Sequence, residues 1–174
     1  PIAIDGVVYG STPIGQIFAL DAGTGEELWV HDPESYRASR NFWDFFWPKT
    51  RGVTYANNRI FLPTPDAYLV AVDAKTGKPV ETFGDAGRVD LMVGLRGPPI
   101  RRLRNYWQTS PAAFYQDTLI VGSTITDRPM SMKHTPGDIR GYDAETGQLK
   151  WTFHVVPAEG EPGTETWENE SWRY

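Results

Sequence analysis

Residues 41–52 read NFWDFFWPKTRG, setting five aromatic side chains, Phe42, Trp43, Phe45, Phe46 and Trp47, into six positions, with Arg51 close behind. Large rings can fill the space between packed sheets, or they can wall a site that holds something flat. Arg51 adds a fixed planar cation that donates several hydrogen bonds at once. Both readings of the rings stand at this level. The three histidines, His31, His134 and His154, are too scattered to form a metal site from spacing alone.

Composition narrows what these residues can serve. The 174 residues are 40% hydrophobic and 13% aromatic, enough to bury a core. A net charge of -5 without a basic run gives no attraction for a phosphate backbone, so nucleic acid is not an expected partner. The absence of cysteine excludes disulfides and thiolate metal ligands within these residues. No apolar run is long enough to span a bilayer, and no leader pattern appears. The opening PIAIDGVVYGST already reads as strand, from which we expect a fragment cut at both ends.

The elements that must position these residues come from an internal repeat. IFALDAGTGEELW from Ile17, YLVAVDAKTGKPV from Tyr68 and IRGYDAETGQLKW from Ile139 share Asp-Ala-x-Thr-Gly, at 21–25, 73–77 and 143–147. The Asp and Thr side chains can bond nearby backbone N–H groups, and the Gly accepts a left-handed conformation, so each copy predicts strand, tight turn, strand. A strand pair hinged on Asp-Gly, Asn-Asn or Gln-Asp precedes each copy. Four short antiparallel strands per repeat predict an all-β protein whose sheets are the blades of a β-propeller. Expected boundaries are a blade at 1–34, a crossover at 35–50, a blade at 51–84, a crossover at 85–108, a blade at 109–156 and the start of another at 157–174. Trp29 and Trp151 are expected to pack between blades, with Phe83 replacing them in the middle copy.

Loop lengths choose the working end. In such meanders the first-to-second and third-to-fourth turns share one end, and here they are tight. The crossovers and second-to-third connections share the other end and hold every long excursion. The connection from Gly122 to Asp143 is about ten residues longer than its two counterparts. Binding is expected at this loop-rich end.

The repeats, together with TRGVTY at 50–55, TSPAA at 109–113, GSTITD at 122–127, DIRGYDAETGQLKWTF at 138–153 and ETWENESW at 165–172, resemble the pyrroloquinoline quinone (PQQ) dependent dehydrogenases, most nearly the membrane-type glucose dehydrogenase branch. The resemblance implies an eight-bladed quinoprotein propeller of which about three blades are present. It also implies oxidation of a sugar or alcohol hydroxyl by hydride transfer to a calcium-bound quinone, with electrons passing to ubiquinone or a cytochrome, in the periplasm. A membrane anchor would lie outside these residues.

Residue by residue, Arg51 matches the arginine that reaches the quinone oxygens and a cofactor carboxylate. Thr109, or its neighbour Ser110, and Thr124 match hydroxyls that bond the cofactor's carboxylates. Asp127 matches an acidic calcium ligand, although Arg128 follows it where the glucose dehydrogenase branch often has an asparagine. The alcohol dehydrogenases of the family cover one cofactor face with a disulfide; those places fall here near Phe45 and Phe46. One ring of the cluster, Trp47 or Phe46, is therefore expected to stack on the cofactor. The general base is expected beyond Tyr174, so the segment alone should be inactive. The competing reading is a non-enzymatic propeller that binds proteins through its loops, like the lipoprotein scaffold of outer-membrane barrel assembly.

Overall fold

The computed structural model describes residues 1–39, 49–97, 106–125, 135 and 137–173. Three four-stranded antiparallel sheets follow one another along the chain. The first contains β1 (Ile2–Ile4), β2 (Val7–Ser11), β3 (Ile17–Asp21) and β4 (Glu27–His31). The second contains β5 (Thr54–Ala56), β6 (Arg59–Pro63), β7 (Tyr68–Asp73) and β8 (Arg88–Asp90). A short pair, β9 (Tyr106–Trp107) with β12 (Thr124–Ile125), flanks the third sheet, which is made of β10 (Ala113–Tyr115), β11 (Thr118–Val121), β13 (Ile139–Asp143) and β14 (Leu149–Phe153). This is the meander of propeller blades that the repeats predict.

Turn chemistry fixes each blade. The pairs Asp5-Gly6, Asn57-Asn58 and Gln116-Asp117 all have positive φ at both residues, the backbone of a two-residue hairpin that matches strand twist. In the repeat turns, Oδ1 of Asp143 accepts from the N–H of Glu145, the N–H of Thr146 and the hydroxyl of Thr146, at 2.8–3.0 Å. Asp21 and Asp73 do the same in their own turns. These bonds hold all three carboxyls below the usual carboxylate range.

Burial explains the residue choice. The middle sheet is covered on both faces, so Arg59–Pro63 and Tyr68–Asp73 run almost wholly apolar. Ile60, Leu62, Val70 and Val72 face the first blade, while Phe61, Leu69 and Ala71 face the third. The blades also interlock through one aromatic each. Trp29 of the first blade donates from Nε1 to the carbonyl of Ala74 (3.1 Å) and covers Gly77. Phe83 of the second is fully buried, packs on Phe61 at 5.6 Å and approaches Gly147. Trp151 is 40% exposed, and Gly25 has open space where a Cβ would stand.

The second blade departs from its expected end at residue 84. After the turn at 73–77, only a single bridge joins Val72 to Pro79, and the fourth strand is β8, inside the stretch expected as crossover. Pro79 has no N–H to extend a ladder. The chain instead turns through Phe83–Gly87, plants Phe83 in the core, and returns to pair with β7.

Candidate functional site

The site end is built where the second blade's first strand meets the third blade. Arg51 stands just before β5, and its backbone N–H donates to the carbonyl of Thr109 (2.9 Å). Its guanidinium Nη1 donates to Oγ1 of the same Thr109 at 3.0 Å. Thr109 Oγ1 in turn lies 3.2 Å from Thr124 Oγ1, and Thr124 is held opposite Trp107 in the β9–β12 pair. Three residues spread over 74 positions thus form one polar row. Ser110 is exposed and makes no bond to the row, so the structure brings Thr109, not its neighbour, to Arg51.

The row has a second tier that the sequence did not reveal. Ser11 at the end of β2 donates to Thr50 Oγ1 (3.1 Å), and Thr50 donates to the carbonyl of Thr12 (2.6 Å). The residue preceding Arg51 is therefore tied to the first blade while Arg51 itself is tied to the third. Lone hydroxyls at strand ends carry no pattern of their own, and only the TRGVTY motif pointed to this neighbourhood. Thr54 adds a bond to the carbonyl of Ala112 (2.5 Å).

Trp47, Phe46 and Asp127 lie outside the described residues. Among the described residues no group of three His, Cys, Asp or Glu side chains converges as a metal site. The base of the long third-blade connection is nevertheless firm. Ser123 Oγ donates to the carbonyl of Asp138 (3.0 Å), and buried Asp138 receives a two-pronged ion pair from Arg96 at 2.8 and 3.0 Å. Arg96 also donates to the carbonyl of Val156 (2.8 Å). Nearby, Arg140 is 3% exposed and donates to the carbonyls of Val93 and Leu91 and to the Tyr106 hydroxyl. The second crossover is thereby bolted to the blade that carries Thr124.

The described donors at this end are a guanidinium with N–H groups beyond the one given to Thr109, and two hydroxyls beside it. Such a set fits an oxygen-rich, planar anion. A family model described as the β-propeller domain of PQQ-dependent glucose/ethanol/alcohol dehydrogenases matches residues 1–174. The chain belongs to this quinoprotein family. It is 33% identical over 168 residues to the quinoprotein glucose dehydrogenase of Escherichia coli (strain K12), covering 88% of this chain and 20% of that protein. It is also 33% identical over 159 residues to the dehydrogenase subunit of the alcohol dehydrogenase (quinone) of Acetobacter aceti, covering 90% and 19%. Among solved structures, the quinohemoprotein alcohol dehydrogenase from Comamonas testosteroni superposes with a TM-score of 0.70 at 25% identity, over 91% of this chain and 21% of that one. The chain therefore spans about a fifth of the length of the quinoproteins it matches.

Proposed function

We propose that these residues form part of a PQQ-dependent dehydrogenase that oxidises a sugar, glucose-like, or an alcohol hydroxyl. The observation that carries this reading is the Arg51–Thr109–Thr124 row at the loop-rich end of a quinoprotein propeller. Arg51 and the two threonines would hold the cofactor's carboxylates and quinone oxygens, and Trp47 or Phe46 would stack on its plane. Asp127 would contribute to holding calcium. When bound, PQQ supplies a carbonyl that accepts hydride, and calcium beside it acts as a Lewis acid.

What the chain itself does in this scheme is bind and orient. The bidentate tie of Arg51 to Thr109, through both backbone and side chain, fixes where its remaining donors point. The general base is assigned to a part of the protein beyond Tyr174. Electrons would pass to ubiquinone or a cytochrome, in the periplasm, with any membrane anchor supplied by another segment.

The test is titration of the full-length protein with PQQ and Ca²⁺, followed by dye reduction with glucose and with simple alcohols. Arg51→Ala and Asp127→Ala are run alongside. Saturable, calcium-dependent activity that both substitutions abolish is expected. A folded protein that takes up no PQQ under any condition would sink the proposal.

A further inference from the structure

Arg51 is exposed, so packing does not hold it in place. Its neighbour Gly52 has φ of 139°, a conformation that favours glycine, and nothing stands within 4 Å of where a Cβ would be. Firm packing begins one residue further on, with buried Val53 in the core shared with the first blade, and then β5. Glycine resists backbone rotation least of all residues, so the sheet by itself constrains Arg51 weakly. The bonds to Thr109 hold Arg51 on the side of the third blade. On the other side stands Thr50.

Thr50 is half-buried, and its hydroxyl is committed to the first blade, accepting from Ser11 Oγ (3.1 Å) and donating to the Thr12 carbonyl (2.6 Å). That carbonyl is itself fixed. It also accepts from the N–H of Gly15 (2.9 Å), within a turn in which the Thr12 N–H donates to the carbonyl of Gln16 (2.9 Å) and Thr12 Oγ1 accepts from the Gln16 N–H (3.1 Å). Gln16 continues the chain, its Nε2 donating to Asp32 Oδ2 (3.0 Å) at the start of the first crossover. Thr50 is thus fastened to a closed turn and not to a swinging side chain.

We infer that Thr50 is a positioning residue for cofactor binding: its hydroxyl clamps the Thr50–Arg51 peptide to the turn at 12–16, so that the guanidinium, held from the other side by Thr109, meets the cofactor's oxygens in one orientation. The inference rests on the quinoprotein reading of the site. Thr50 touches no reacting group in this scheme and acts through Arg51. A planar cation that must aim several donors at a planar anion loses affinity when its backbone can shift, because only the aimed fraction binds. The clamp is made by the hydroxyl and not by bulk, so valine, close to threonine in shape, breaks it and serine keeps it.

Titration of the full-length apoprotein with PQQ in the presence of Ca²⁺, followed by quenching of tryptophan fluorescence, gives cofactor affinity without reference to turnover. Thr50→Val is expected to weaken PQQ binding at least about threefold, on the scale of one hydrogen bond, and Thr50→Ser to stay within about twofold of the native protein. Ser11→Ala, which leaves Thr50 its bond to Thr12, should weaken binding in the same direction by less. In an Arg51→Ala background, Thr50→Val should cost less than it does alone. Arg59→Met cuts a tie between the second and third blades at the far end of the sheet, where Arg59 donates to the carbonyls of Ala144 and Glu145. It should lower Tm and leave PQQ affinity unchanged. Native protein that takes up no PQQ defeats the quinoprotein reading and this inference with it. With native uptake intact, undiminished binding in Thr50→Val overturns this inference alone, as does a Thr50→Ser loss equal to that of Thr50→Val, an equal loss in Arg59→Met, or the full cost of Thr50→Val persisting without Arg51.

Discussion

The indole of Trp29 lies directly over Gly77 of the next blade, close enough that a Cβ on that glycine would meet ring atoms at 2.5 Å. Gly77 also has φ of 68°, so two independent reasons keep it glycine. Gly25 has the same backbone, φ 75°, with open space around it. Gly77→Ala should therefore cost about 2–4 kcal/mol and Gly25→Ala only about 1 kcal/mol, the difference being overpacking. Urea denaturation of the two variants measures it directly; equal losses would remove Trp29 as the cause.

Arg51 and Thr109 should behave as a unit. Thr109→Val removes the acceptor for Nη1 while keeping the side chain's shape. It is expected to weaken PQQ uptake by about three- to tenfold, the net value of one hydrogen bond. Arg51→Ala should weaken uptake far more, and Thr109→Val should cost less in that background than it does alone. A double-mutant cycle on cofactor affinity checks this, with simple additivity as the contrary result.

Buried Arg140 is held by carbonyls and a hydroxyl and stacks over the Tyr142 ring at 5.5 Å. Replacing it with leucine leaves those acceptors buried and unpaired. A loss of about 3 kcal/mol in unfolding free energy is expected, with earlier protease cleavage in the 91–97 crossover than elsewhere.

The repeat turns should make the fold lose stability in acid, since all three carboxyls are held below their usual range. Asp143 has its carboxyl held below its ordinary value near 3.8 by the Thr146 N–H first, with the Thr146 hydroxyl and the Glu145 N–H adding to it. A depressed native pKa means the unfolded chain binds more protons, so this contribution is complete above about pH 4 and is lost as pH falls through the native value. Asp143→Ala should cost about 1 kcal/mol at neutral pH and flatten the stability profile below pH 4. A profile as steep as that of the native protein would show that other carboxylates set the acid limit.

The blades were legible because their signals are local. Asp-Ala-x-Thr-Gly writes its own turn within five residues, and the paired residues at 5–6, 57–58 and 116–117 write the hairpins. β8 was not, because Pro79 interrupts the ladder and the strand that replaces it is three residues long, with no alternation to read. At the site, Arg51, Thr109 and Thr124 were reached through family motifs, and Ser11 and Thr50 were not reached at all. The bolts made by Arg96 and Arg140 join positions 34–60 residues apart through single charged side chains, which leave no trace in any sequence window.

Each blade offers an aromatic plug on one flank and a glycine socket on the other, as Trp29 with Gly77 and Phe83 with Gly147 show. Trp151 and Gly25 are the plug and the socket left at the two flanks of the three-blade block. The contact is heterologous, so any run of these blades has a head and a tail. Given curvature that closes, the outcome is a ring.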